Sequence, residues 1–200
     1  MTIPEEKQRL RKEVRALERK LDAAYRAQAD RAIADKVLEL PLYQHARTVF
    51  CFVSTEYEIE TRPILLDALQ TGRRLCVPRC AADRRMELVV IRSLDELELG
   101  AFDILEPKAG LPTLTPEEVD FAVLPCLSCD RKGRRLGRGG GYYDRFLAAY
   151  RGTMACLCRE RLLQEEIPVD KQDVPVSWLI TEAGVFPGEA AVKKTEHCIT

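Results

Sequence analysis

Short apolar runs without a polar break recur along this chain of 200 residues, and they constrain its fold more than any other feature. Thr48-Val-Phe-Cys-Phe-Val53 and Phe121-Ala-Val-Leu-Pro125 lack the apolar–polar alternation of a strand with one wet face, so both of their faces need cover. Stretches of helical spacing or turns separate the runs. Residues 62–70 have a helical pattern closed by Thr71-Gly72. Strands are expected at 74–78 and 87–91, a short helix or turn at 95–99, a helix at 142–150, a strand at 153–158, a short helix at 159–166 and a last strand at 178–181. Alternation of this kind predicts a single α/β domain over residues 1–200, with three layers: a central, mainly parallel sheet and helices on both faces.

Two helices precede the first strand. Over residues 4–20, Leu10, Val14, Leu17 and Leu21 recur at helical spacing among charged residues, and Pro4 and two glutamates stand at the start, where a fixed φ and the helix dipole favour them. Residues 22–40 place Ile33, Val37 and Leu40 on one stripe and stop before Pro41, whose ring disfavours helix in the residue before it. The pair is expected to form an N-terminal helical hairpin. Between residues 100 and 118, three prolines and two glycines indicate a surface connection that could line a site.

Charge and composition narrow the function. Thirty-one basic residues against 32 acidic ones leave a net charge of −1, so no broad basic face is implied and nucleic acid is not an expected partner. The chain begins polar and never reaches the roughly 18 apolar residues in a row that a membrane span requires, so a cytoplasmic protein without a membrane partner is expected. A monomer is expected, with a weak dimer as the alternative. Eight cysteines in such a protein read as buried small hydrophobes and free thiols. Cys126-x-x-Cys129 and Cys156-x-Cys158 could supply a four-thiolate zinc site, but the first pair opens a loop, the second falls in a strand, and their spacing is not that of a zinc ribbon.

The chemistry is concentrated in Leu136-Gly137-Arg138-Gly139-Gly140-Gly141-Tyr142-Tyr143-Asp144-Arg145. Glycines let backbone N–H groups approach phosphate oxygens, arginine adds a fixed fork of donors, and an acidic residue beyond the turn could hold the metal that accompanies a nucleotide. The segment is neither a Walker A loop nor a Gly-x-Gly-x-x-Gly fingerprint. With only His45 and His197 in the chain, imidazole catalysis is poorly supported, whereas phosphoryl transfer needs mainly positioning and charge neutralisation. Lys7 and Arg11 lie four apart on one helix face and, by themselves, read first as a solvated basic edge. Glu58 and Glu60 alternate in an extended segment, so only one of them can readily enter a pocket. Tyr142 and Tyr143 either pack at the helix start or stack on a flat ligand.

Arg135-Leu-Gly-Arg-Gly-Gly-Gly-Tyr-Tyr-Asp144-Arg145, preceded by Leu124-Pro125, Asp130 and Gly133, closely resembles the signature of the 5-formyltetrahydrofolate cyclo-ligase family. Lys7-Gln-Arg-Leu-Arg11, Glu58-Ile-Glu-Thr61, Glu106-Pro107 and Asp173 resemble further elements of that family in the same order. The resemblance implies a compact α/β fold that uses ATP and Mg2+ to close 5-formyltetrahydrofolate into 5,10-methenyltetrahydrofolate, releasing ADP and phosphate. It also implies roles by position. Lys7, Arg11, Arg135, Leu136, Gly137, Arg138, Gly139, Gly140, Gly141, Tyr142 and Tyr143 would hold ATP, with Arg138 and Lys7 as the catalytic cations. Val53, Glu58 and Tyr142 would meet the folate, and Asp144 and Asp173 the metal. Phe102, before Glu-Pro, is a further candidate for folate contact. The chain departs from the family pattern at Ser177, where an aspartate is usual, and at Cys129, where an aromatic is common. A non-catalytic nucleotide- or folate-binding protein, or another small-molecule kinase or ligase with the same loop, are the alternative readings.

Overall fold

The computed structural model describes residues 2–81, 85–100 and 104–191. Helix α1 (Ile3–Glu18) starts at Thr2, whose N–H donates to Glu5 Oε2 at 2.8 Å, and α2 (Ala23–Glu39) starts at Asp22, whose Oδ1 accepts from the Ala24 N–H at 2.7 Å. A one-turn α3 (Pro41–Gln44) leads into β1 (Thr48–Cys51). Then come α4 (Arg62–Gln70), β2 (Arg74–Cys80), β3 (Met86–Ile91), β4 (Leu97–Leu99), β5 (Leu105–Pro107), β6 (Thr113–Leu114) and β7 (Phe121–Leu124). The chain continues through β8 (Ser128–Cys129), β9 (Arg135–Leu136), α5 (Tyr142–Ala149), β10 (Thr153–Leu157), β11 (Trp178–Thr181) and β12 (Gly184–Pro187). Among the described residues, no helix is long and apolar enough to cross a membrane.

Eight strands form one sheet in the order β12-β11-β10-β7-β1-β2-β3-β6. The five from β11 to β2 run parallel, with Val49 beside Leu75 on one side and beside Phe121 on the other, while at the margins β12 pairs antiparallel with β11, β3 with β2, and β6 with β3. Because successive side chains point to opposite faces, each central strand feeds two cores. Phe50, Cys76, Ala122, Leu124 and Cys156 face one core, where α1 and α5 bring Leu10, Val14, Phe146 and Leu147. Val49, Cys51, Leu75, Val77, Phe121, Val123 and Ala155 face the other, where α2 and α4 bring Ile33, Val37, Ile64 and Leu65.

The expected three layers are therefore present, but the two N-terminal helices differ from a closed hairpin. They follow one another through a tight turn, yet α1 buries its stripe in the first core and α2 in the second, so the turn at residues 19–22 carries the chain from one face of the sheet to the other. Residues 95–99 form a 3-10 turn and then β4, which pairs with β5; residues 159–166 shorten to a single 3-10 turn at Glu160–Leu162.

Connections leave the sheet in opposite senses from its middle. The crossover from β1 goes through α4 to β2 on one side, and that from β7 through α5 to β10 on the other. Neighbouring carboxyl ends diverge at β1 and β7, and in open α/β sheets such a switch point opens a crevice beyond the strand ends.

Candidate active site

The glycine-rich segment is launched into that crevice by the β8–β9 ribbon. Cys129 pairs with Arg135, and the turn between them is tied by the buried carboxylate of Asp130, whose Oδ1 accepts from the N–H groups of Lys132 (2.9 Å) and Arg134 (3.0 Å) and whose Oδ2 accepts from Ile167 N–H (3.0 Å). From Leu136 the chain runs unpaired to α5. Gly139 holds φ at +106° and Gly141, the residue that starts α5, holds +71°, both in the region that L side chains rarely enter.

Side chains fix this loop. Arg11 Nε donates to the Gly137 carbonyl at 2.8 Å and Arg15 Nη2 to the Arg138 carbonyl at 3.4 Å, so α1 grips the loop from below. Desolvation, followed by the neighbouring Arg15, pulls the Arg11 guanidinium below its usual value. Arg135, almost wholly buried, donates Nη2 to Asp144 Oδ1 at 2.6 Å and lies 5.6 Å from the centre of the Tyr143 ring. Lys7 is ion-paired with Asp173, and Asp173 also accepts from Asp170 N–H at 2.6 Å. Arg138 Nε donates to Glu58 Oε1 at 3.0 Å across the crevice, while Glu58 Oε2 accepts from the N–H and Oγ1 of Thr55 at 3.0 and 2.9 Å.

Together these residues line a cleft of about 590 Å3. Lys7, Arg11, Val53, Glu58, every residue from Arg135 to Asp144, and Asp173 all face it, so positions up to 166 residues apart in sequence are brought to one place. One wall is charged and rich in backbone amides. The other is largely apolar, built from Phe52, Val53, Pro78 and Pro125 at the strand ends and from Ile104 and Leu105. Residues 100–118 do line the cleft, through Ile104, Leu105 and Glu106; Phe102 lies outside the described residues.

Several lining residues carried no site assignment from sequence: Phe52, Thr55, Pro78, Cys80, Leu105 and Cys126. The rule that ligands gather beyond parallel strand ends could have found Phe52, Pro78 and Cys126, each within two or three residues of a predicted strand's carboxyl end. Glu60 turns away to accept from Ser54 Oγ at 3.0 Å and from Arg62 N–H at 2.8 Å, which leaves Glu58 as the carboxylate in the cleft. The two tyrosines also separate. Tyr143 packs 6.3 Å from the Phe50 ring, and burial, then the nearby Glu58, pushes its phenol well above the usual value; Tyr142 has no ring contact among the described residues.

The donor set suits a hard cation bound jointly with phosphate. Mg2+ keeps several waters and takes one or two carboxylates plus phosphate oxygens, and Asp144 and Asp173, which both line the cleft, are carboxylates of the kind such an ion would take. The hydroxyl of Ser177 is buried without a hydrogen bond, and Asp173 takes its support from Lys7 and Asp170 instead. The paired cysteines do approach one another: Cys129, Cys156 and Cys158 are buried in the first core and Cys126 lines the cleft. Among the described residues no three His, Cys, Asp or Glu side chains are grouped so as to hold a metal.

A mainly parallel sheet with an arginine- and glycine-lined crevice at its switch point defines an α/β enzyme built to receive an anionic ligand beside an apolar one. The model of the 5-formyltetrahydrofolate cyclo-ligase family matches residues 3–182, and the chain belongs to that family. It is 32% identical to "5-formyltetrahydrofolate cyclo-ligase, mitochondrial" of Arabidopsis thaliana, over 93% of this chain and 77% of the relative. It is 30% identical to 5-formyltetrahydrofolate cyclo-ligase of Mus musculus, over 91% and 96% of the two chains. The solution structure of Aquifex aeolicus 5,10-methenyltetrahydrofolate synthetase superposes with a TM-score of 0.79 at 28% identity, covering 90% of this chain and 92% of that one.

Proposed function

We propose that this cleft closes 5-formyltetrahydrofolate to 5,10-methenyltetrahydrofolate at the expense of ATP, the ligase activity of the family to which the chain belongs. The observation that carries the reading is the joining of two unlike walls in one cleft: loop amides with Lys7, Arg11 and Arg138 on one side, and apolar strand ends with Glu58 on the other.

The formyl oxygen of an amide is a poor leaving group. Transfer of the γ-phosphoryl group to that oxygen, with ADP leaving, turns it into a phosphate ester; N10 then attacks the iminium-like carbon to close the ring and gives up its proton, and phosphate departs with the C–O bonding pair. The protein's task is to place the two reactants and neutralise charge on the transferring group. Arg138 and Lys7 supply that charge. Each is held by a carboxylate, Arg138 by Glu58 and Lys7 by Asp173, so a phosphate bound here would exchange partners instead of burying a new unpaired charge. Glu58, once released, is free to accept from the N–H edge of the pterin, with Val53 and Tyr142 beside it. Asp144 and Asp173 would hold the magnesium, which when bound neutralises the triphosphate.

One domain binds both reactants, and the protein acts as a cytoplasmic monomer without nucleic-acid or membrane partners. Incubation with 5-formyltetrahydrofolate and Mg-ATP is expected to give the near-UV absorbance of the methenyl product with stoichiometric release of ADP. ATP hydrolysis without that absorbance indicates a different acceptor, and binding of both ligands without turnover a non-catalytic protein; either result overturns the reading.

A further inference from the structure

We propose that Asp30 and Arg159, which do not line the main cleft, are positioning residues that clamp the backbone around Glu58 and thereby set the folate wall. This rests on the reading of Glu58 as the carboxylate that meets the pterin. Glu58 belongs to the segment 52–61, which leaves β1 and reaches α4 without pairing to any strand. At its base the segment is closed by Thr61 Oγ1, which donates to the Phe52 carbonyl at 2.8 Å. Its tip is held from the far side by one guanidinium.

Arg159 stands two residues past the end of β10 and is 2% exposed. Its Nε and Nη2 donate to the two oxygens of Asp30, on α2, at 2.7 and 2.8 Å. The remaining donors are directed at the loop: Nη1 reaches the Tyr57 carbonyl at 3.0 Å and Nη2 the Glu58 carbonyl at 3.1 Å. Asp30 Oδ2 also accepts from Glu60 N–H at 3.2 Å. Backbone groups before, at and after Glu58 are thus bound to one pair anchored in a helix and in the turn that follows a central strand. The geometry accounts for a pair that packing alone does not require, since buried ion pairs return little net stability while a bidentate fork fixes orientation. With its backbone fixed, Glu58 can present Oε1 to Arg138 and the cleft while Thr55 holds Oε2. Without the clamp the same side chain can follow Arg138 and lose its aim.

The test is steady-state kinetics of the full chain with 5-formyltetrahydrofolate and Mg-ATP, comparing Asp30→Asn, Arg159→Lys, Glu58→Gln and Asp30→Asn combined with Glu58→Gln. Arg159→Lys keeps the buried charge but lacks the fork, and it carries the test if Asp30→Asn does not fold. Each clamp variant is expected to raise KM for 5-formyltetrahydrofolate about tenfold, the scale of one charge-assisted hydrogen bond, with KM for ATP within about twofold of wild type. The double variant is expected to match Glu58→Gln alone, because the clamp acts through that side chain. If Glu58→Gln leaves the folate KM unchanged, the reading of Glu58 falls, and this proposal with it. If Glu58→Gln raises that KM but the clamp variants do not, or if they raise both KM values or add fully to Glu58→Gln, the clamp alone is overturned and Glu58 keeps its role.

Discussion

The two loops that frame the cleft are anchored by opposite means. Residues 137–141 are held from outside: two arginines of α1 reach their carbonyls, and Gly139 and Gly140 stand exposed. Residues 52–61 are held from inside, by a pair whose guanidinium is 2% exposed and whose partner comes from another layer of the fold. Contacts at a wet surface exchange readily, while a buried fork does not. The comparison teaches that the wall proposed to recognise a flat heterocycle is anchored in the core of the fold, whereas the wall proposed to grip phosphate hangs on contacts nearer the surface that can adjust as charge moves along it.

Four variants can break or sharpen that contrast. Arg138→Ala is expected to lower turnover by roughly 10² to 10³ with the melting temperature unchanged, because the side chain is exposed and its loss removes a transition-state donor. Near-native turnover in the purified variant removes Arg138 from the chemistry. Gly139→Ala forces a side chain onto a φ of +106° and is expected to raise KM for ATP about tenfold while leaving the folate KM alone. An equal rise in both would mean that the loops move together. Arg15→Ala removes a long contact of 3.4 Å at the surface, and KM for ATP is expected to change by no more than about twofold.

The smallest effect concerns Glu18, which closes α1 between the two loops. Burial raises its carboxyl above the usual range, only partly opposed by Arg138 and Arg159. The folded chain then keeps a proton that the unfolded chain releases, so this group lowers stability as pH rises through that window and has no effect below it. Glu18→Gln is expected to raise the melting temperature by about 1 to 3 °C at pH 8 and by nothing measurable at pH 4. A difference that persists at pH 4 would assign the effect to packing.

Much of this was legible in the sequence because it is local. Val49 to Cys51 and Phe121 to Leu124 read as doubly covered strands and are fully buried on two faces. The glycine loop declared itself by composition, and the family resemblance named Lys7, Glu58 and Asp173, whose neighbours in space no local pattern could supply. What stayed hidden is non-local or very short. Asp30 and Arg159 lie 129 residues apart inside unremarkable segments, and β8 and β9 are two residues each, below any period that can be counted. Which core each N-terminal helix joins depends on the sheet, so an amphipathic stripe could show that a face is buried but not against what.

The sheet also carries its own reporters. Cys51, Cys76, Cys129, Cys156 and Cys158 are sealed on its two faces, with burial pushing the Cys76 thiol to about 12 and that of Cys51 higher still, while Cys80 is open to solvent. A maleimide in excess should therefore label Cys80 at once and the sealed thiols only when the strands part. The time course of added mass then becomes a clock for opening of the molecule, read on the unaltered sequence with no engineered cysteine.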